Sequence, residues 1–111
     1  MYLHNLHKVL SMKFDAVIYL ITETDGQDEI GNYVPVLTKR KAYANKFSVS
    51  RAEFSAAGER GLKPDLSFQV NTIDYASEEL VEYLNQEYDV YRTQEKGDRT
   101  TLYLTRRVSN G

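Results

Sequence analysis

The chain has 111 residues, no cysteine and a formal net charge of −2. This length fits one domain whose core is large enough to fold without disulfides or metals. The absence of cysteine excludes disulfides and thiolate metal sites. The longest apolar run, residues 16–21, is far shorter than the roughly 20 residues of a membrane helix, so no membrane association is expected.

The N-terminal residues do not continue the pattern of the rest. Residues 1–11 hold both histidines, His4 and His7, without a turn or cap signal. Two histidines without a third ligand do not make a metal site. The pattern restarts at Met12, so we predict a flexible extension at 1–11, a single domain at 12–106 and a short tail at 107–111.

The first half of this domain is predicted to contain two strands. Residues 14–22 are rich in β-branched and aromatic side chains, which favours a buried strand. Residues 23–33 contain two glycines beside Asp and Asn, which predicts a loop or a loose hairpin tip. Residues 34–41 predict a second strand, and Pro35 confines its start to a sheet edge. Residues 42–49 can either remain extended or form a mobile loop.

One short helix is predicted near residues 50–60. Ser50 and Glu53 fit a capping box, in which the serine hydroxyl accepts from the third helical amide and the glutamate reaches back. Two glycines and a proline follow and leave room for about two turns. Phe54 is the single large apolar residue in those turns. A helix this short is not stable alone in water, so a neighbouring surface must support it.

The second half is predicted to be strands and hairpins. Residues 66–71 alternate between apolar and polar side chains, as a half-buried strand does. Residues 80–84 and 88–93 can pair as a hairpin around 85–87, although Ser77 could instead cap a helix over 77–84. Residues 92–104 predict another hairpin, with a glycine at its tip. The residues predicted to be buried together are Leu66, Phe68, Val70, Val90, Leu102 and Leu104.

Together these elements predict a mainly β fold. Five or six short antiparallel strands with one short helix are typical of a small β-barrel or sandwich. No internal repeat interrupts the pattern. Apart from the two termini, the least ordered part is expected to be the long segment 42–63 around the helix, because one apolar anchor cannot offset the entropy of ordering it.

Charge is distributed unevenly along the chain. Residues 36–63 hold seven bases and two acids, whereas residues 73–89 hold six acids and no base. The two blocks could pair between copies, or each could simply face solvent. The predicted ring-interface or channel-loop residues are Lys39, Arg40, Lys41, Lys46, Phe47, Arg51, Phe54, Arg60 and Lys63. The predicted acidic partner face consists of Asp74, Glu78, Glu79, Glu82 and Glu87.

No motif points to catalysis. A nucleophile motif, a Gly-rich phosphate loop and a set of metal ligands are all missing, and the histidines lie outside the predicted domain. An enzyme, a cofactor and a small-molecule substrate are therefore not expected. The competing hypothesis is a small barrel that binds single-stranded nucleic acid through tyrosine rings and basic side chains. Against it, Tyr75, Tyr83 and Tyr88 lie among acids, which repel a phosphate backbone.

Four short motifs, taken in order, carry a resemblance. They are Phe-Ser-Val-Ser-Arg-Ala-Glu-Phe at 47–54, Ala-Gly with Gly-Leu-Lys-Pro at 57–64, Tyr-Arg-Thr at 91–93 and Gly-Asp-Arg at 97–99. In this order and spacing the chain resembles the head-closure proteins of tailed bacteriophages, also called stoppers or head–tail joining proteins. The resemblance covers residues 13–105.

This resemblance implies a β-barrel that assembles as a ring beneath the portal, in the virion neck, after synthesis in the host cytoplasm. The implied partners are further copies of the chain, the portal or adaptor ring, a tail-side joining protein and packaged DNA, the last without sequence readout. It favours a hairpin over a helix after Ser77. The family turn usually carries Asn-Gly, whereas Gln86 follows Asn85 here, which leaves the turn type open.

Overall fold

Six antiparallel strands close into a barrel in the computed structural model, which describes residues 14–108. The elements in chain order are β1 (Ala16–Gln27), β2 (Tyr33–Phe47), α1 (Arg51–Glu59), β3 (Leu66–Asn71), a 3-10 turn (Thr72–Asp74), β4 (Leu80–Tyr83), β5 (Gln86–Lys96) and β6 (Arg99–Arg106). Around the barrel the order is β1-β2-β3-β6-β5-β4, and β4 pairs back with β1. Over residues 14–108 the predicted barrel with one helix is therefore confirmed. The predicted extension at 1–11 and the tail residues 109–111 lie outside the described residues.

The barrel interior is filled by the alternate residues that the sequence indicated. Phe68 and Val70 of β3 and Leu102 and Leu104 of β6 are completely buried. Leu66 and Val90 are partly buried and pack against this cluster. The ring of Phe68 meets that of Tyr83 edge-on, with 5.0 Å between their centroids. Strands β1, β2 and β4 complete the core with Ala16, Ile18, Leu20, Ala42, Ala44 and Val81.

The β1–β2 hairpin is much longer than the sequence pattern indicated. The loop expected at 23–33 is strand except at 28–32, because twelve consecutive residue pairs join β1 to β2. Asp28 closes the short turn: its Oδ1 accepts from the amides of Ile30 at 3.0 Å and Asn32 at 2.7 Å. A Cβ at Gly26 within β1 would lie 2.6 Å from Cγ2 of Val36, so a larger residue there requires the Val36 side chain to move.

The segment after residue 41 stays in the sheet. Residues 42–47 belong to β2, and its last three residues also pair with β3. Ala42 and Ala44 lie in the core. The extended alternative is therefore correct for 42–47, and an adaptable segment can begin only at Ser48.

Both ends of α1 follow local sequence signals. The Ser50 hydroxyl accepts from the Glu53 amide at 3.1 Å, as expected of the N-cap. At the other end the Leu62 amide donates to the Ala57 carbonyl at 2.9 Å, while Gly61 adopts a φ of +76°. This is a Schellman ending, which uses the glycine for its left-handed conformation.

The face of α1 that meets the barrel differs from the expected one. Phe54 is 52% exposed, whereas Ala57 is the buried residue of the helix. The Glu53 carboxylate does not reach back to its own N-terminus, because it binds β5 instead. The expectation of Phe54 as the anchor and of a complete capping box is therefore wrong.

The two C-terminal hairpins form as strands. β4 confirms the strand alternative after Ser77. The β4–β5 turn lies one residue earlier than expected, at Leu84 and Asn85, whose φ values are +50° and +64°. Two positive φ values are characteristic of a type I′ turn. The β5–β6 turn is at Gly97, as expected, with a φ of +62°.

Candidate interaction surfaces

In the part of the chain that the structure describes, no group of three or more His, Asp or Glu side chains could hold a metal ion. Between residues 14 and 108, no helix is long and apolar enough to cross a membrane. Every buried side-chain nitrogen or oxygen of those residues has a hydrogen-bond partner. The candidate functional features are two exposed surfaces, one near each end of β2.

The first surface is a two-stranded arm that projects from the barrel. β1 pairs with β4 only at 19–21, and β2 pairs with β3 only at 45–47. Residues 22–38, which we call the arm, therefore pair only with each other among the described residues. All of them except Gly26 are exposed. The molecule is elongated and measures 61 × 38 × 23 Å.

The arm exposes several apolar side chains, namely Ile30, Tyr33, Val34, Val36 and Leu37. One of its faces is uncharged, because the pairs Thr22–Thr38, Thr24–Val36 and Gly26–Val34 share it. At the turn end, Ile30 is 82% exposed and Tyr33 is 68% exposed. An isolated two-stranded hairpin is marginally stable in water. Contact with another surface would therefore stabilise the arm.

The second surface is a groove at the other end of β2. Its walls come from the end of β2, the following loop, α1 and the start of β3, and its volume is about 490 Å³. Phe47 and Phe54 line it and are each about half exposed. We call it the groove; it is lined by Lys46, Phe47, Ser48, Val49, Phe54, Pro64, Asp65 and Leu66.

The predicted basic and acidic blocks partly neutralise each other within one chain. Lys39 Nζ lies 2.8 Å from Glu82 Oε1, and an Arg40 guanidinium nitrogen lies 2.5 Å from Glu78 Oε2. The hydrogen bond to Glu82 raises the pKa of Lys39 above its ordinary value. The cause is strand order: β1 lies between β2 and β4, so the two blocks are brought to neighbouring positions.

The predicted acidic partner face is therefore wrong for Glu78. Glu78 is buried, and its Oε1 also accepts from the Ala76 amide at 2.7 Å. It is a structural residue of the barrel end and not an exposed partner for another copy. Of the remaining predicted acids, Glu79 is exposed, while Asp74 and Glu87 are half-buried.

The other predicted basic residues stay at the surface. Lys41 lies over the ring of Tyr43, 5.3 Å from its centroid, and Lys46 lies 5.5 Å from that of Tyr83. The predicted basic residues of and beside α1 are also exposed; they are Arg51, Arg60 and Lys63. The structure thus brings Lys46, Phe47 and Phe54 together at the groove and separates them from Lys39 and Arg40.

The contact that attaches α1 to the barrel was not predicted. The Glu53 carboxylate accepts from the Tyr91 hydroxyl at 2.8 Å and forms an ion pair with Arg92. The Arg92 guanidinium also stacks 4.2 Å from the centroid of the Tyr103 ring. The hydrogen bond from Arg92 lowers the pKa of Glu53, and burial together with Glu53 raises the pKa of Tyr91. Sequence offered one signal, the carboxylate at the third helical position, and it equally fits a capping box.

A comparison of the chain with protein-family models finds no match, and a search of curated proteins finds no significant match.

Proposed function

We propose that this protein is a structural subunit of the head–tail connector of a tailed bacteriophage. It belongs to a ring that closes the portal channel and joins the head to the tail. The motif order over residues 47–99 supports this proposal on the side of sequence. The single structural observation that carries it is the pair of exposed apolar surfaces, the arm and the groove, on a small closed barrel.

Under this proposal the protein acts through interfaces and performs no covalent step. The partners are further copies of the chain, the portal or adaptor ring above it and a tail-side joining protein below it. Residues 48–63 are the adaptable segment, because α1 rests on the barrel mainly through Ala57 and the Glu53–Arg92 ion pair. Lys46, Arg51 or Lys63 would then face packaged DNA by charge alone, without sequence readout.

Gene deletion in the phage genome that carries the sequence tests this function. We expect heads without tails, which lose DNA after packaging, when lysates are examined by negative-stain electron microscopy. Wild-type protein supplied in trans should restore tailed particles. Normal tailed particles in the deletion strain would refute the neck function.

A second candidate, binding of single-stranded nucleic acid, is favoured by one observation. Tyr19 and Tyr43 are exposed on the outer face of β1 and β2, and Lys41 lies beside Tyr43. Exposed tyrosine rings that lie among basic side chains can stack on nucleotides. The neck protein should bind a labelled oligonucleotide weakly and lose it as salt rises from about 50 to 200 mM. Tight, salt-tolerant binding that Tyr43→Ala abolishes would favour the nucleic-acid-binding barrel.

A further inference from the structure

The tip of the arm and the groove are too far apart to meet within one chain. The tip comprises the turn 28–32 and Tyr33 at the start of β2, and the groove includes Phe47 at the end of the same strand. β2 has 15 residues. At about 3.3 Å per residue its ends are separated by roughly 45 Å along the strand. The tip can therefore reach a groove only on a second copy.

The apolar parts of the two surfaces are complementary in kind. Ile30 is the most exposed apolar side chain of the arm, at 82%. The groove is concave, and two half-exposed phenylalanine rings, Phe47 and Phe54, form part of its lining. Burial of a large apolar side chain against such rings is favourable because it removes both from water.

Their charges are also complementary. The arm carries four carboxylates and no base over residues 22–38. Residues 46–66, which contain the groove lining, carry four bases and three acids. One of these acids, Glu53, is paired with Arg92, and another, Asp65, lines the groove together with Lys46. An acidic tip is thus repelled by another tip and attracted, more weakly, by the net positive charge of residues 46–66.

We infer that the arm tip of one copy docks in the groove of the next copy, with Ile30 against Phe47 and Phe54. This inference rests on the proposed function, since it names the contact by which neighbouring ring subunits join. Two different patches at opposite ends of the molecule make a heterologous, head-to-tail contact, which generates a ring where the rotation closes. This tip-to-groove contact replaces the predicted contact between the basic and acidic blocks of neighbouring copies. Lys39 and Arg40 of the basic block are already paired within the chain.

Disulfide trapping in the full chain tests the contact. The protein has no cysteine, so in single-cysteine variants a disulfide can form only between the introduced residues. Ile30→Cys, carried on a chain with a larger tag, is mixed with Phe54→Cys or with Phe47→Cys and oxidised. The heterodimer is then quantified on a non-reducing gel. The matched control is Ile73→Cys, because Ile73 is a comparably exposed isoleucine, at 92%, on the 3-10 turn.

We expect a several-fold excess of heterodimer for Ile30→Cys over Ile73→Cys with at least one groove variant. The excess should fall when Glu29→Lys is added to the tip or when salt is raised, because exposed charges are screened. No excess with either groove variant, or preferential tip-to-tip disulfides, would overturn the inference.

The trapping result and the gene-deletion result together test the tip-to-groove contact and the neck function independently. A selective tip-to-groove disulfide in a protein whose gene deletion leaves tailed particles intact would keep the contact and refute the function. The absence of that disulfide, together with tailless heads in the deletion strain, would refute the contact and keep the function.

Discussion

Replacement of Glu53 by glutamine should loosen α1 without unfolding the barrel. Ala57 is the buried residue of this helix. Attachment therefore depends largely on the Glu53 carboxylate, which accepts from Tyr91 and pairs with Arg92. Glutamine keeps the size of the side chain but removes the charge that both partners face.

The magnitude follows from the exposure of the partners. A hydrogen bond to a charged group contributes about 1.5–3 kcal/mol to stability. The Arg92 side chain is 36% exposed, whereas that of Glu53 is 11% exposed, so solvent screens part of this attraction. We expect a loss of about 1–2 kcal/mol in the free energy of opening α1, which corresponds to about 5- to 30-fold faster exchange of its amides.

Native-state hydrogen exchange measured by mass spectrometry is the assay. Peptides that cover 51–60 should exchange faster in Glu53→Gln, while peptides that cover 66–71 should not change. Glu59→Gln is the matched control, since Glu59 is exposed on the same helix. A double-mutant cycle with Arg92→Leu isolates the interaction free energy between Glu53 and Arg92. Unchanged exchange of α1 in Glu53→Gln, or an equal change in the control, would refute this account of how the helix is attached.

Three further outcomes are expected. Phe68→Ala leaves a cavity in the core and should lower the free energy of unfolding, measured in urea, by about 3–5 kcal/mol. A loss smaller than the one caused by Leu84→Ala would contradict the assigned strand register. Leu84→Gly should stabilise the protein by about 1 kcal/mol, because Leu84 occupies the left-handed region at a φ of +50°, and lower stability would show that the turn differs. The pKa of Glu53 lies below its usual 4.5, so the unfolded chain binds more protons just below that value. The stability advantage of wild type over Glu53→Gln should therefore be complete above pH 4.5 and shrink as the pH falls below it, which denaturation midpoints at several pH values would measure.

Sequence predicted well those features that depend on near neighbours. The alternation over 66–71 assigned the correct core face to Phe68 and Val70, because a period of two is a property of the strand itself. Ser50 marked the start of α1, and Gly97 marked a hairpin turn, because each supplies a hydrogen bond or a φ value that the local backbone requires.

Features that depend on strand order could not be predicted in the same way. Lys39 and Glu82 are 43 residues apart, and they meet only because β1 lies between their strands. Glu53 and Arg92 likewise meet through the packing of α1 on β5. Phe54 was expected to point inward because it is the largest apolar residue of the helix. The small Ala57 faces the barrel instead, and Phe54 remains at the groove.

The arm shows why a stable fold and a functional surface place different demands on one sequence. Asp25 and Gly26 are poor strand formers, yet pairing with β2 keeps them extended. The barrel closes without the arm, since residues 22–38 contribute nothing to its core. The side chains of Ile30, Tyr33, Phe47 and Phe54 remain at least about half exposed in the single chain. Under the proposed docking, assembly buries them, and the positions of the arm tip and the groove at opposite ends of β2 favour a head-to-tail contact between copies.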